Sequence, residues 1–245
     1  MKMPSLAELM KAGAHFGHRH SKWHPKMQPY IFTEKNGIHV INLEETQKQL
    51  VLATDFLTQT VSAGGTVLFL GTKRQAQDIV KEAAIRCGMP YIVSRWLGGT
   101  LTNSHSILGL VKKYNKLKDD RATGRLSRYT KKEQLMMARD METLDGLIGG
   151  IASMERIPEA IFIVDIKEEK TAVLEARKKH VPVVAICDTN VNPDLVDWPV
   201  PANDDATNSI KVIVNVVADA IAEARAAMPQ KEVKPVIKAT PKAEA

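Results

Sequence analysis

Three apolar runs, at 66–70, 160–165 and 182–187, each give way to a stretch with helical spacing, at 72–87, 168–179 and 206–227. A further short run at 90–93 lies between the first helix and the next segment. A strand that is apolar at every position is covered on both faces, whereas a half-exposed strand alternates. Parallel strands also need a crossover, and the crossover that covers a sheet face is a helix. The alternation therefore predicts an α/β fold with a mainly parallel, doubly wound sheet, Rossmann-like or flavodoxin-like.

One segment breaks that rhythm. Between 103 and 150 there is no strand signal, only two helical patterns, Ile107, Leu110, Tyr114, Leu117 and Met137, Met141, Leu144, Ile148. Both step by three and four, the spacing of a coiled-coil seam. A polar stretch at 119–130 containing Gly124 separates them, so an inserted antiparallel helical hairpin is expected. The α/β domain then comprises 1–102 and 151–227, with the hairpin as an insertion at 103–150. Before it, 1–37 forms a basic N-terminal extension. Ser5 with Glu8 makes a capping box for a short helix, 13–30 reads as an extended loop, and 38–43 as a strand after the turn Asn36-Gly37. Residues 44–61 read as an amphipathic helix. The tail, 228–245, carries three prolines, four lysines and no aromatic residue. It cannot bury enough apolar area to offset its ordering entropy, and is expected to be disordered.

Charge narrows the function. Lys and Arg number 34 against 28 Asp and Glu, a net +6. Residues 104–132 alone hold nine of the cations (Lys112, Lys113, Lys116, Lys118, Arg121, Arg125, Arg128, Lys131, Lys132) against Asp119 and Asp120, a net +7. The rest of the molecule is thus close to neutral. Basic charge gathered on one protrusion suits a phosphate backbone, because each contact releases condensed counterions. Cys87 and Cys187 are isolated, which fits a reducing compartment without a disulfide framework or zinc knuckle. No run approaches the roughly 18 apolar residues of a membrane span, and residues 1–11 lack the apolar core of a signal peptide. A cytoplasmic protein is expected.

Candidate chemistry lies at the strand ends, where doubly wound folds bind ligands. Lys73 and Arg74, after Gly71 and Thr72, would seat a phosphate at a helix start. Neither GxGxxG nor GxxxxGK[ST] is present, so a bound nucleotide is not expected and a nucleic-acid phosphate fits better. In Arg95-Trp96-Leu97-Gly98-Gly99-Thr100-Leu101-Thr102-Asn103, Arg95 could clamp a phosphate and Trp96 stack on a base; alternatively the loop packs around a buried indole. Asp188, Asp204 and Asp205 could converge on one divalent cation such as zinc, with His18 as a further ligand, or merely end a strand and cap a helix. His15, His18, His20 and His24 match no established zinc spacing, and nearby lysines disfavour a cation. No nucleophile elbow is present, so a Rossmann-like enzyme acting on a phosphorylated small molecule remains only as the alternative.

The residues also carry a resemblance. Ala14-His-Phe-Gly-His18, Trp23-His-Pro-Lys-Met27, Asn36-Gly-Ile-His39, Phe69-Leu-Gly-Thr-Lys73, the Arg95 to Asn103 loop, Pro158-Glu-Ala-Ile-Phe-Ile-Val-Asp165, Ala185-Ile-Cys-Asp-Thr-Asn190 and Pro201-Ala-Asn-Asp-Asp-Ala206 follow in order over 1–227. In these the chain resembles the bacterial small-subunit ribosomal protein S2 (uS2) family. The resemblance implies a three-layer α/β/α sandwich with a protruding coiled-coil hairpin, no catalysis, and no required cofactor. It implies small-subunit (16S-type) rRNA as partner, together with neighbouring small-subunit proteins including the large mRNA-binding one. Membrane and small-molecule partners are not expected, and the location is ribosome-bound. RNA-contacting character then falls on the hairpin cations and on the basic N-terminal loop with Lys22 and Lys26. His24, Asn42 and Glu159 depart from the residues usual in the family, Asn, Asp and Asp; Asn42 speaks against a role for a carboxylate at that position.

Overall fold

A computed structural model of the chain describes residues 3–227. In chain order the elements are α1 (Leu6–Lys11), β1 (Phe16–Arg19), β2 (Ile31–Lys35), β3 (Ile38–Ile41), α2 (Leu43–Ser62), β4 (Val67–Leu70), α3 (Gln77–Cys87), β5 (Tyr91–Ile92), α4 (Ser104–Ala122), α5 (Lys131–Ile148), β6 (Ala160–Val164), α6 (Lys170–Lys179), β7 (Val183–Cys187), β8 (Trp198–Pro201) and α7 (Thr207–Ala226).

Five parallel strands form the main sheet in the order β5-β4-β6-β7-β8. Counted from the first of them, this is 2-1-3-4-5, the flavodoxin-like arrangement, whose switch point lies between β4 and β6. Every residue of β4, β6 and β7 is buried. The period of two divides their side chains between two cores. Phe69, Phe162, Val164, Val184 and Ile186 meet α2, α3 and α7, while Leu68, Leu70, Ile161, Ile163 and Ala185 meet α6, the hairpin root and Met27. The result is a three-layer sandwich. Phe69 and Phe162 meet edge-to-face at 5.4 Å in the first core.

The N-terminal extension is more ordered than its sequence suggests. Ser5 caps α1 with the expected reciprocal bonds to Glu8. Within 13–30, β1 emerges where a loop was expected, and β1-β3-β2 make a second, antiparallel sheet. In the insertion, α4 and α5 run antiparallel: Tyr114 hydrogen-bonds Asp145, and Leu117 and Arg121 line a cavity shared with Gln134, Met137 and Met141. Tyr114 and Ile148 bury the root, and Thr130 with Glu133 caps the return helix. Among the described residues no helix is long and apolar enough to cross a membrane. The tail expected to be disordered, 228–245, lies outside the described residues.

Candidate functional site

The carboxyl ends of β4, β6, β7 and β8 deliver Lys73, Asp165, Asp188 and the Asn203-Asp204-Asp205 turn to one crevice at the switch point. Lys73 does not stand at a helix start, because the helix expected from residue 72 begins only at Gln77. Residues 72–76 turn instead, and Thr72 N–H donates to the buried Glu169 at 2.9 Å. The Lys73 ammonium bridges the crevice, 3.2 Å from Asp165, 2.8 Å from Asp204 and 2.6 Å from Asp205. Burial works to lower the Lys73 pKa, but the hydrogen bonds and charges of Asp204, Asp205 and Asp165 more than offset it, so the value is raised. Burial beside Asp165 and Asp188 pushes the Asp204 carboxyl up to about 7, with Lys73 opposing. Asp205 is held below its usual value, because Lys73 outweighs the effect of burial.

The N-terminal extension closes the same crevice. His18 Nδ1 lies 3.0 Å from Asp188 and Nε2 3.5 Å from Asp205. Its pKa is raised, chiefly by the Asp188 hydrogen bond, against a smaller lowering by burial. The His18 N–H donates to Thr189 Oγ1 at 2.8 Å, His24 N–H to Thr189 O at 2.8 Å and Asn203 N–H to Ala14 O at 3.1 Å. Gly17 is required by this contact: a Cβ there would stand 2.6 Å from Thr189 Cγ2 and 3.1 Å from His39 O.

Four aspartates thus face one ammonium and one imidazole, and the seat that a doubly wound fold offers to phosphates is acidic. The expectation that Lys73 grips a phosphate is corrected by this geometry, since its donors are taken and the surrounding carboxylates repel an anion. The expected metal trio is also rearranged. His18, Asp188 and Asp205 bring ligand atoms within 4.8 Å of one another and could hold one divalent cation, whereas Asp204 turns towards Lys73. Nor do the thiols offer a nucleophile: Cys87 and Cys187 are buried, and burial raises both, Cys87 to about 11.

The Arg95 to Asn103 loop is organised by a residue that sequence reasoning missed. Glu175 on α6 accepts from Trp96 Nε1 at 3.2 Å and from the N–H groups of Gly99, Leu101 and Thr102 at 2.7, 3.0 and 3.1 Å, with Thr102 Oγ1 also at 3.1 Å. Burial would raise its pKa, yet these donors hold it below the usual carboxylate value. Trp96 is therefore buried and engaged, which corrects its assignment as a stacking platform. The available signal was a glutamate on the inward stripe of α6 beside Ala172 and Ala176.

The remaining expected cations face solvent. Lys22, Arg74 and Arg95 are exposed, and Lys26 is exposed but paired with Asp194. On the hairpin, Lys112, Lys113, Lys116, Arg121, Lys131 and Lys132 are exposed and make no ion pair among the described residues. Arg125 pairs with Asp120 at 3.3 Å, and Arg128 lies over the Tyr129 ring at 5.0 Å. The crevice ends and the hairpin tip are separate features, one acidic with its cations internally paired and one presenting basic charge outward.

Comparison with known proteins gives a consistent answer. The family model described as Ribosomal protein S2 matches residues 9–224. A small ribosomal subunit protein uS2 of Dehalococcoides mccartyi is 50% identical over 96% of both chains. Those of Coprothermobacter proteolyticus and Nocardia farcinica are 47% and 46% identical, over 92% and 96% of this chain and 84% of each relative.

Proposed function

This chain belongs to the ribosomal protein S2 family, and from that premise we propose that it is a structural, non-catalytic constituent of the small ribosomal subunit that binds small-subunit rRNA. The observation that carries the RNA reading is the hairpin, with its net +7 over 104–132 on exposed side chains. Surface helices normally interleave both signs to form i,i+4 pairs; here cations outnumber carboxylates nine to two over 104–132, and that excess suits a polyphosphate. Lys22, Arg74 and Arg95 add exposed cations on the α/β body and its N-terminal extension. Phosphate contacts of this kind fix position rather than read sequence.

Protein neighbours, the large mRNA-binding protein of the subunit among them, are the second class of partner. The N-terminal extension supports this with a groove of about 530 Å³ lined by Leu6, Met10, Phe32 and Val40. Met10 is 61% and Phe32 73% exposed, apolar side chains that a neighbouring protein could cover. The same reading makes the protein cytoplasmic and ribosome-bound. A divalent cation held by His18, Asp188 and Asp205 would brace the extension against the sheet; it is not part of any reaction.

Sedimentation of cell extract through a sucrose gradient tests the proposal. The chain is expected to travel with the small subunit and to be shed by high salt, as electrostatic RNA contacts require. Recovery only among free soluble proteins would overturn it.

A further inference from the structure

We propose that His20, Glu34 and His39 form a second metal site, for one divalent transition ion of the zinc class, on the small N-terminal sheet. The topology assembles it. Strand β3 lies between β1 and β2, and His39 on β3 is the direct cross-strand partner of Glu34 on β2. Directly opposed residues of an antiparallel pair project on the same face. His20 follows β1 immediately, and its N–H donates to Gly37 O at 3.0 Å, which turns it onto the other flank of β3. One ligand atom from each of the three residues lies within 4.8 Å of the others.

The buried histidine supplies the independent reason for a ligand. His39 is 5% exposed, and both its ring nitrogens are buried without a hydrogen-bond partner. An imidazole needs a partner for at least one nitrogen, and burying it without one is costly. Packing does not supply that partner: the His20 ring stacks on it at 5.1 Å and the Trp23 ring lies tilted beside it at 5.2 Å. A metal bond at either nitrogen satisfies it.

The donor set selects the ion. Two imidazoles and a carboxylate suit zinc, which takes three protein ligands and leaves a fourth position for an exchangeable group. With bonds of about 2.0 Å, tetrahedral ligand atoms stand roughly 3.3 Å apart. His20 Nδ1 and Glu34 Oε2 are already at 3.0 Å, and both side chains are exposed enough to rotate towards His39. Lys35 and Ile38 alternate to the opposite face of the pleat, so the neighbouring cation does not compete. The spacing of the histidines hides the site, because Glu34 and His39 come from later strands and His18, two residues away, serves the crevice instead.

Titration of the full chain with cobalt(II), read by visible absorption and followed by zinc displacement, tests the site. Four proteins are compared: the natural chain, His20→Asn, Glu34→Gln and Asp205→Asn, the last disabling the His18 group. The expected result is a four-coordinate cobalt spectrum that Asp205→Asn retains. His20→Asn, folded by circular dichroism, should weaken it more than about a hundredfold, beyond the loss of an outer-shell partner. Glu34→Gln should weaken it in the same direction. No four-coordinate spectrum in the natural chain overturns the proposal. So does a spectrum that survives His20→Asn and disappears in Asp205→Asn.

Discussion

Replacing Glu175 by Gln changes one atom and removes half of an acceptor pair. In the natural chain, Oε1 receives Trp96 and Gly99, and Oε2 receives Leu101 and Thr102 twice. The amide retains a single acceptor. Its best orientation keeps the oxygen on the Leu101 and Thr102 side, which turns an NH2 group towards the N–H groups of Trp96 and Gly99. Each buried donor left unpaired costs about 1–3 kcal/mol, so Glu175→Gln should lose about 3–5 kcal/mol, a large share of an ordinary domain's stability. Urea unfolding measures the loss directly, and hydrogen exchange should localise it to the amides of Gly99, Leu101 and Thr102. The pH dependence is a second, independent signature. Glu175 has a folded pKa below the unfolded value, so its contribution is complete above about pH 4.3 and disappears as pH falls through the folded value. Glutamine does not titrate, and the gap between the two proteins should close in acid. A loss below about 1 kcal/mol near neutrality, or a gap that ignores acid, refutes the role given to this carboxylate.

Other perturbations address the remaining features. Alanine at Lys112, Lys113 and Lys116 should flatten the plot of log affinity for duplex RNA against log salt by ~0.9 for each phosphate no longer neutralised; an unchanged slope means that these side chains are only solvated. Gly17→Ala puts a methyl group 2.6 Å from Thr189 and should cost about 1–3 kcal/mol, seen as faster limited proteolysis within 13–24. Lys73→Met leaves Asp165 and Asp204 facing each other without their cation, for a loss of about 3–5 kcal/mol near neutrality. Between the unfolded value of about 3.9 and about 7, the folded chain holds an Asp204 proton that the unfolded chain releases, so this group's contribution falls as pH rises. Without Lys73 that window should extend upward, and denaturation midpoints at mildly acidic and mildly alkaline pH would diverge further than in the natural chain.

The parts of the fold that were legible are those written in local pattern. Leu68 to Leu70, Ile161 to Val164 and Val183 to Ile186 are apolar at every step because both faces are covered, and that burial needs no long-range knowledge to read. Strand β8 escaped notice because Pro199 and Pro201 argue against a strand; it lies on the sheet edge, where the missing N–H groups are tolerated. Strand β1 was hidden by Gly17, whose absent side chain reads as loop but is the condition for close approach to Thr189. At the crevice, the sequence brought Asp188, Asp204, Asp205 and His18 under suspicion correctly as neighbours. It misassigned Lys73, because a cation after a strand looks the same whether its partner is a phosphate or an aspartate. Here the aspartates are 92 and 131 residues away, a distance that no local pattern spans.

Those long separations set an order of events during synthesis. His18 meets Thr189 across 171 positions, and Asn203 meets Gly13 across 190. At ~5–20 residues per second, roughly 10–40 s pass between the emergence of the first segment and that of its docking surface. Throughout that interval Met27, fully buried in the finished protein, lacks the part of its cover that Ala185 and Cys187 supply. The docking of residues 13–24 onto Thr189 and Asn203 can therefore be completed only once β7 and the turn after β8 exist to receive it.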